Sequence, residues 1–270
     1  MKKLEMFSLL LILFSTLQVV AFNAYALEEK TELTIFAAAG TKPAMDEVVQ
    51  RFQSQGDIRV KISYAGGGEA LSQMTISKSG DLYVAPEQRF MESAKEKHVI
   101  DPQTIKILAY VIPVIAVKRG NPKNIASLAD LTKPGIRIAI ARPETTLTGR
   151  YAIEIFQKAG LEDAIAKNMV TQAPRPDHLL TMLILEQIDA GIIWHSYQTQ
   201  AAGKIEIIYL SPQQLTGVGK IQIALSAFST NRKWAREFID FAASEQGKAV
   251  FRAQGYLVDA DEVKQYYPEI

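Results

Sequence analysis

The chain has no cysteine among its 270 residues. Disulfides, a thiolate nucleophile and Cys-ligated zinc are therefore excluded, as is a lipid anchor that needs an N-terminal Cys. An excess of charge of either sign is also lacking, because 30 Lys and Arg stand against 29 Asp and Glu. That balance gives no electrostatic reason to bind nucleic acid or an anionic membrane. Enzyme signatures are missing too. There is no G-x-S-x-G elbow, no H-E-x-x-H metal helix and no Walker A pattern, and the sequence asks for no cofactor. After residue 26 no apolar run is long enough to span a bilayer. Without covalent staples, stability must come from a core of ordinary packing, and 48% hydrophobic residues supply one.

Residues 1–26 have a different character from the rest. Lys2 and Lys3 give a basic start, residues 7–20 are mostly apolar, and Ala24-Tyr25-Ala26 offers small residues in an A-x-A pattern. This reads as a secretory signal peptide cleaved after Ala26, which places the mature protein in the periplasm. Removing it leaves 28 basic and 28 acidic residues, a formally neutral chain.

The remainder alternates between two periodicities. Strand patterns are expected at 33–38, 59–64 and 81–85, and helical spacing at 42–55, 69–77 and 87–97. Pro43 stands where a first-turn proline belongs. Such βαβ alternation implies an α/β fold whose strand-end loops gather at one edge, where ligands bind. The apolar run 105–118, broken by Pro113, is too long for one ordinary strand and reads as a crossing between two lobes. A second alternating series follows, with strands at 137–141, 169–172, 190–194 and 204–210 and helices at 147–159 and 177–187. The candidate return crossing is 221–228. Helices at 231–243 and 246–254 end the pattern, with Trp234 expected in the core.

Within this order, Gly66-Gly67-Gly68 lies between a strand and a helix. Glycines there let a ligand approach the main chain, and a helix N-terminus behind them adds unpaired N–H donors. The stretch is either an anion cradle or a strand–helix turn without a ligand.

Five segments together resemble the periplasmic molybdate-binding proteins. They are Phe36-Ala37-Ala38-Ala39-Gly40-Thr41-Lys42-Pro43, Asp81-Leu82-Tyr83-Val84-Ala85-Pro86-Glu87, Pro143-Glu144 through Thr148-Gly149-Arg150-Tyr151-Ala152, Asp189-Ala190-Gly191-Ile192-Ile193-Trp194, and Phe238-Ile239-Asp240-Phe241 with Gly255-Tyr256. The resemblance covers nearly the whole mature chain. It implies a two-lobed periplasmic binding fold, each lobe a mixed, mainly parallel sheet flanked by helices, with lobe one at 27–111 plus 222–270 and lobe two at 112–221. It implies a monomeric protein, not an enzyme, that captures a molybdate- or tungstate-like oxyanion between the lobes and passes it to an ABC permease. The same fold would also serve a different ligand, whether another oxyanion, a metal cation or a small organic solute, or a ligand sensor for a membrane receptor.

Carried over position by position, the resemblance implies ligand contacts at Gly40, Gly66, Gly67, Gly68, Thr148, Pro176 and Trp194, and the residues themselves add Thr41, as a hydroxyl donor, and Arg175 as candidate contacts. Three of these depart from the family. Gly40 and the Gly66–Gly68 stretch stand where serines are expected, and Trp194 stands where a tyrosine is. Pro176 has no N–H to donate. Arg142 and Arg175 are available for charge-assisted bonds to an anion. Glu69 either caps its own helix or faces the ligand. Glu69, Glu87 and Glu144 together would suit a hard metal cation. His195 and Tyr197 follow Trp194 and are further candidate contacts.

Overall fold

The computed structural model describes residues 31–269, so the signal-peptide reading lies outside the described residues. The elements, in order, are β1 (Thr31–Ala38), α1 (Lys42–Gln53), β2 (Ile58–Ala65), α2 (Gly67–Ser77), β3 (Leu82–Ala85), α3 (Gln88–Glu96), β4 (Lys106–Val111), β5 (Pro113–Lys118), β6 (Ile138–Ala141), α4 (Leu147–Lys158), α5 (Glu162–Ala166), β7 (Met169–Ala173), α6 (Pro176–Ile184), β8 (Ala190–Trp194), α7 (Tyr197–Gln200), β9 (Ile205–Ile208), β10 (Gly219–Leu225), α8 (Arg232–Ala242), α9 (Glu245–Ala253) and α10 (Ala260–Lys264).

They form two five-stranded sheets, ordered β2-β1-β3-β10-β4 and β7-β6-β8-β5-β9. Each sheet is mixed. The β1–β2, β1–β3, β6–β7 and β6–β8 pairs are parallel, as βαβ connections require. The antiparallel pairs all involve β10 or β5. The expected break at Pro113 is real. The chain leaves the first sheet at Val111 and enters the second at Pro113. It returns through β10, which joins the first sheet from Gly219 onward.

Both faces of the first sheet are covered. On one face α1, which buries Met45, Val48 and Phe52, packs with α8, where the Phe52 and Phe238 rings meet edge to face at 5.0 Å. The other face holds a separate cluster that includes Leu71, Met74 and Met91 from α2 and α3. Trp234, expected in the core, is only half-buried and packs at its margin. The second sheet carries α4 and α6 against β6 and β8.

Asp81 shows how the ends of the first sheet are tied. It is buried, and its carboxylate accepts from the Thr34 N–H (2.9 Å), the Ser229 hydroxyl (2.7 Å) and the Asn231 N–H (3.4 Å). All three groups are donors. In Asp81→Asn, one of them faces an amide NH2 whichever way the side chain turns. We expect that substitution to lower unfolding free energy by about 1–2 kcal/mol. Urea denaturation measures it, and an unchanged midpoint would show that the carboxylate is not holding this corner.

Candidate functional site

One cleft of about 480 Å³ lies between the two sheets, and the loops that leave their strands line it. Of the expected contacts, Gly40, Thr41, Gly66, Gly67, Gly68, Arg175, Pro176 and Trp194 all line this cleft. Thr148 does not. It is fully buried one residue into α4, and its Oγ1 has no hydrogen-bond partner. The wall at this point is built instead by its neighbours Thr145 and Thr146.

The glycines have a different structural reason from the one the sequence suggested. Gly66 is the N-cap of α2 with φ −59°, and Gly67 and Gly68 already form its first turn, two residues ahead of the expected start at 69. No left-handed conformation is involved. The constraint is close approach, because a Cβ on Gly67 would lie 2.6 Å from Pro86 and 2.9 Å from the Phe90 ring. The same lack of side chains leaves the first turn of α2 bare toward the cleft. Its end is partly answered from within, since Glu69 Oε2 accepts from the Gly66 N–H at 3.4 Å. Glu69 thus caps its own helix and also lines the cleft.

Gly40 lies in a short 3-10 turn after β1, and its carbonyl accepts from the Tyr256 hydroxyl at 3.0 Å. A Cβ there would sit 3.6 Å from the Tyr197 oxygen. Tyr197 is buried, lines the cleft and has its phenol pushed well above the ordinary range by burial. The structure therefore brings a tyrosine to the position opposite Gly40, supplied by α7 and not by the end of β8. Trp194, at the end of β8, is buried edge to face against Tyr151 at 6.2 Å. Thr41 contributes less than its position suggests, because its hydroxyl hydrogen is donated to the Ala38 carbonyl at 2.8 Å.

Arg175 makes a two-pronged ion pair with Asp177 (Nε to Oδ1 3.0 Å, Nη2 to Oδ2 2.8 Å). Burial raises the Asp177 pKa, but Arg175 outweighs it and holds that carboxyl below the usual range. Arg142 is exposed and does not line the cleft. A second arginine does, and sequence reasoning missed it. Arg89 lies over the Phe90 ring at 4.3 Å, donates from Nε to Glu87 at 3.1 Å, and donates from Nη2 to the Thr145 carbonyl across the cleft. The available signal was its place just behind the strand-end loop at 85–87.

Glu87 joins the two lobes. It is buried, and both carboxylate oxygens accept from the Leu147 N–H, at 3.1 and 3.0 Å. Leu147 opens α4, so an acidic side chain of the first lobe occupies the positive end of a helix of the second. Burial raises the Glu87 pKa, and Arg89 and the Leu147 N–H pull against that rise. Among the described residues no group of three or more His, Asp and Glu is arranged to hold a metal ion, so Glu69, Glu87 and Glu144 do not make the cation site that the sequence left open. His195 is not a cleft contact. It is buried, its Nδ1 accepts from the Ile112 N–H at 3.0 Å where the chain crosses between sheets, and burial lowers its pKa to about 4.

Two mixed α/β sheets whose loops share one cleft define a two-lobed solute-binding protein. The chain belongs to the family described as bacterial extracellular solute-binding proteins, whose sequence pattern it matches over residues 33–257. The molybdate-binding protein ModA of Escherichia coli is 27% identical over 246 residues, covering 88% of this chain and 93% of its own. Among solved structures, the substrate-binding domain of a proposed molybdenum ABC transporter from Clostridium difficile superposes with a TM-score of 0.71 at 22% identity, over 84% of this chain and 98% of its own. The sulfate-binding protein SubI of Mycobacterium tuberculosis gives a TM-score of 0.74 at 19% identity, over 87% and 91%. The resemblance to molybdate-binding proteins read from the sequence is thus borne out by these relatives. These relatives are binding proteins and not enzymes. Among the described residues no helix is long and apolar enough to cross a membrane.

Proposed function

We propose that the protein is the periplasmic solute-binding component of an ABC importer, exported by cleavage after Ala26 and acting as a monomer that docks on an inner-membrane permease. Its solute presents an oxyanion group to the interlobe cleft. The observation that carries this reading is the meeting, in one cleft, of the bare N-terminal turn of α2 from the first lobe with Arg175 from the second. Helix N-terminal N–H groups and a guanidinium are the two groups best suited to hold such an anion. Gly40, Thr41, Gly66, Gly67, Gly68, Pro176 and Trp194 complete the contact set, and Tyr197 supplies a phenol beside Gly40. Closure of the lobes on the crossings at Ile112 and before β10 commits the solute.

Molybdate and tungstate are the first free ions to test, because of the E. coli relative. Thermal unfolding should be followed during titration with molybdate, tungstate, sulfate, phosphate and divalent metals. A ligand bound only by the folded state stabilises by about 2.7 kcal/mol at a hundred times its Kd, which is roughly 5–10 °C in a domain of this size. We expect a concentration-dependent rise that Arg175→Ala abolishes. A response to divalent metals alone, or a rise that survives Arg175→Ala, would overturn the anion site. Trp194→Phe gives a local check: it should remove the ligand-induced fluorescence change, leaving Trp234 silent.

A further inference from the structure

We infer that the solute is an organic molecule, with one anionic head and a body bearing hydroxyl or ammonium donors, and not a free tetrahedral ion. This rests on the cleft being the solute site. Three observations point the same way.

The first is size. A tetrahedral ion has five heavy atoms and needs the room of a few waters, under about 100 Å³ at ~30 Å³ each. With the lobes as they stand in this structure, before closure, the cleft offers about 480 Å³, within the roughly 300–1,000 Å³ typical of organic-ligand pockets. Much of its wall is apolar, formed by Pro86, Phe90, Val111 and Ile221. Such a wall returns nothing to a bare ion that must exchange its whole hydration shell for hydrogen bonds.

The second is that the second lobe's anion position is already filled. The Leu147 N–H at the start of α4 is satisfied by Glu87 from the first lobe. At the start of α6 the first residue is Pro176, which has no N–H. Two of the cleft's hydroxyls are also spoken for, because those of Thr41 and Thr146 donate to the Ala38 and Arg142 carbonyls. A free ion needs donors on every side, and the helix starts of the second lobe supply less than that of α2, because the first N–H of α4 is taken and that of α6 is absent. A molecule with a single anionic head requires donors around that head alone.

The third is charge. The cleft is lined by Glu69, Glu87, Glu144 and Asp177 against Arg89 and Arg175. Arg89 answers Glu87 and Arg175 answers Asp177. That leaves Glu144 and Glu69, which also caps α2, as carboxylates on the cleft wall without an arginine ion pair, and a dianion beside them is repelled. A solute that carries donors turns both carboxylates into acceptors, so the feature that opposes a free ion selects for such a body.

The test compares two sets of probes on the full mature protein by calorimetry. One set is molybdate, tungstate, sulfate and orthophosphate. The other is glycerol 3-phosphate, glucose 6-phosphate, gluconate, serine and glutamine. We expect at least one organic probe to bind about tenfold or more tighter than the best free ion, a gap of ~1.4 kcal/mol. Glu144→Gln should weaken that organic probe and tighten the free ions, because removing the charge withdraws an acceptor from one and a repulsion from the other. A free ion that binds as tightly as the best organic probe overturns the inference and leaves the cleft reading intact. So does an equal effect of Glu144→Gln on both sets. Binding of neither set overturns both.

Discussion

Gly149→Ala is expected to unfold the second lobe at temperatures where the native protein is stable. The cause is the seating of α4. A Cβ on Gly149 would lie 2.0 Å from the Ala141 carbonyl oxygen, 2.7 Å from its carbon and 2.8 Å from the Arg142 carbonyl carbon. All of these are backbone atoms, so no rotamer change relieves the clash. The strand cannot retreat cheaply either, since Ala141 pairs with Ala173 in β7 and the Arg142 N–H bonds the Ala173 carbonyl at 2.9 Å. Nor can the helix. Its first turn is capped by Thr146 Oγ1, which accepts from the Gly149 N–H at 3.1 Å, and its buried face includes Tyr151, Ala152, Ile155 and Phe156. Overpacking a core usually costs about 1–3 kcal/mol, and a methyl forced into fixed backbone belongs at or beyond the top of that range. We expect a loss of more than about 3 kcal/mol, or roughly 10 °C in Tm. Gly40→Ala is the matched control. Its Cβ would meet only the Tyr197 oxygen at 3.6 Å, an ordinary contact, so its stability should stay within about 0.5 kcal/mol of the native protein. If Gly149→Ala unfolds within 1 kcal/mol of native in urea, on the order of the scatter among tolerated substitutions, α4 is not seated as described.

Gly149 also marks the boundary between what the sequence discloses and what it does not. Its neighbourhood was readable as a helix because Tyr151, Ala152, Ile155 and Phe156 repeat at helical spacing. The need for glycine was not, because it comes from the approach of a strand distant in sequence. The Gly66–Gly68 stretch repeats the lesson. Three glycines beside a strand suggested backbone freedom and a ligand, whereas Gly67 is confined by Pro86 and Phe90. The α/β order and the break at Pro113 were legible from alternation alone, and nearly all boundaries fell within two residues. The antiparallel placing of β5 and β10 was not, because strand direction in a sheet is set by where long connections return. Short elements escaped for a related reason: α5 buries only Ile165, which is too little for a periodic signal. In the cleft, positions at strand ends could be named in advance, and so could Tyr197, three residues past the end of β8, but Arg89 could not. It lies just past a strand-end loop on a helix, and nothing local distinguishes it from a solvated arginine.

Removing the Glu87 carboxylate should have the second large effect, and its pH dependence identifies the cause. In Glu87→Ala the buried Leu147 N–H loses its acceptor and the Arg89 guanidinium loses its ion-pair partner. Breaking a buried pair from one side costs about 3–5 kcal/mol. Arg89 keeps its bond to the Thr145 carbonyl and a quarter of its exposure, which places this case near the low end. Glu87→Gln is different. It is nearly isosteric, keeps an oxygen for the Leu147 N–H, and no longer buries a charge. It should therefore cost less than half as much as Glu87→Ala. The sign of the pH effect follows from the raised pKa of Glu87, which burial causes against the pull of Arg89 and the Leu147 N–H. An acid with a raised folded pKa holds its proton more firmly folded than unfolded. Its contribution to stability is complete below the unfolded value, about 4.3, and is lost as pH climbs through the folded value. Glutamine has no proton to lose. The native protein should therefore fall in stability relative to Glu87→Gln as pH rises through that window, and the two should run parallel above it. Urea midpoints for both proteins at intervals from pH 4 to 8 measure this difference. A native protein that gains on Glu87→Gln with rising pH would mean that Arg89 and the Leu147 N–H overcome the burial, and that the two lobes are drawn together by a carboxylate whose charge stabilises the fold.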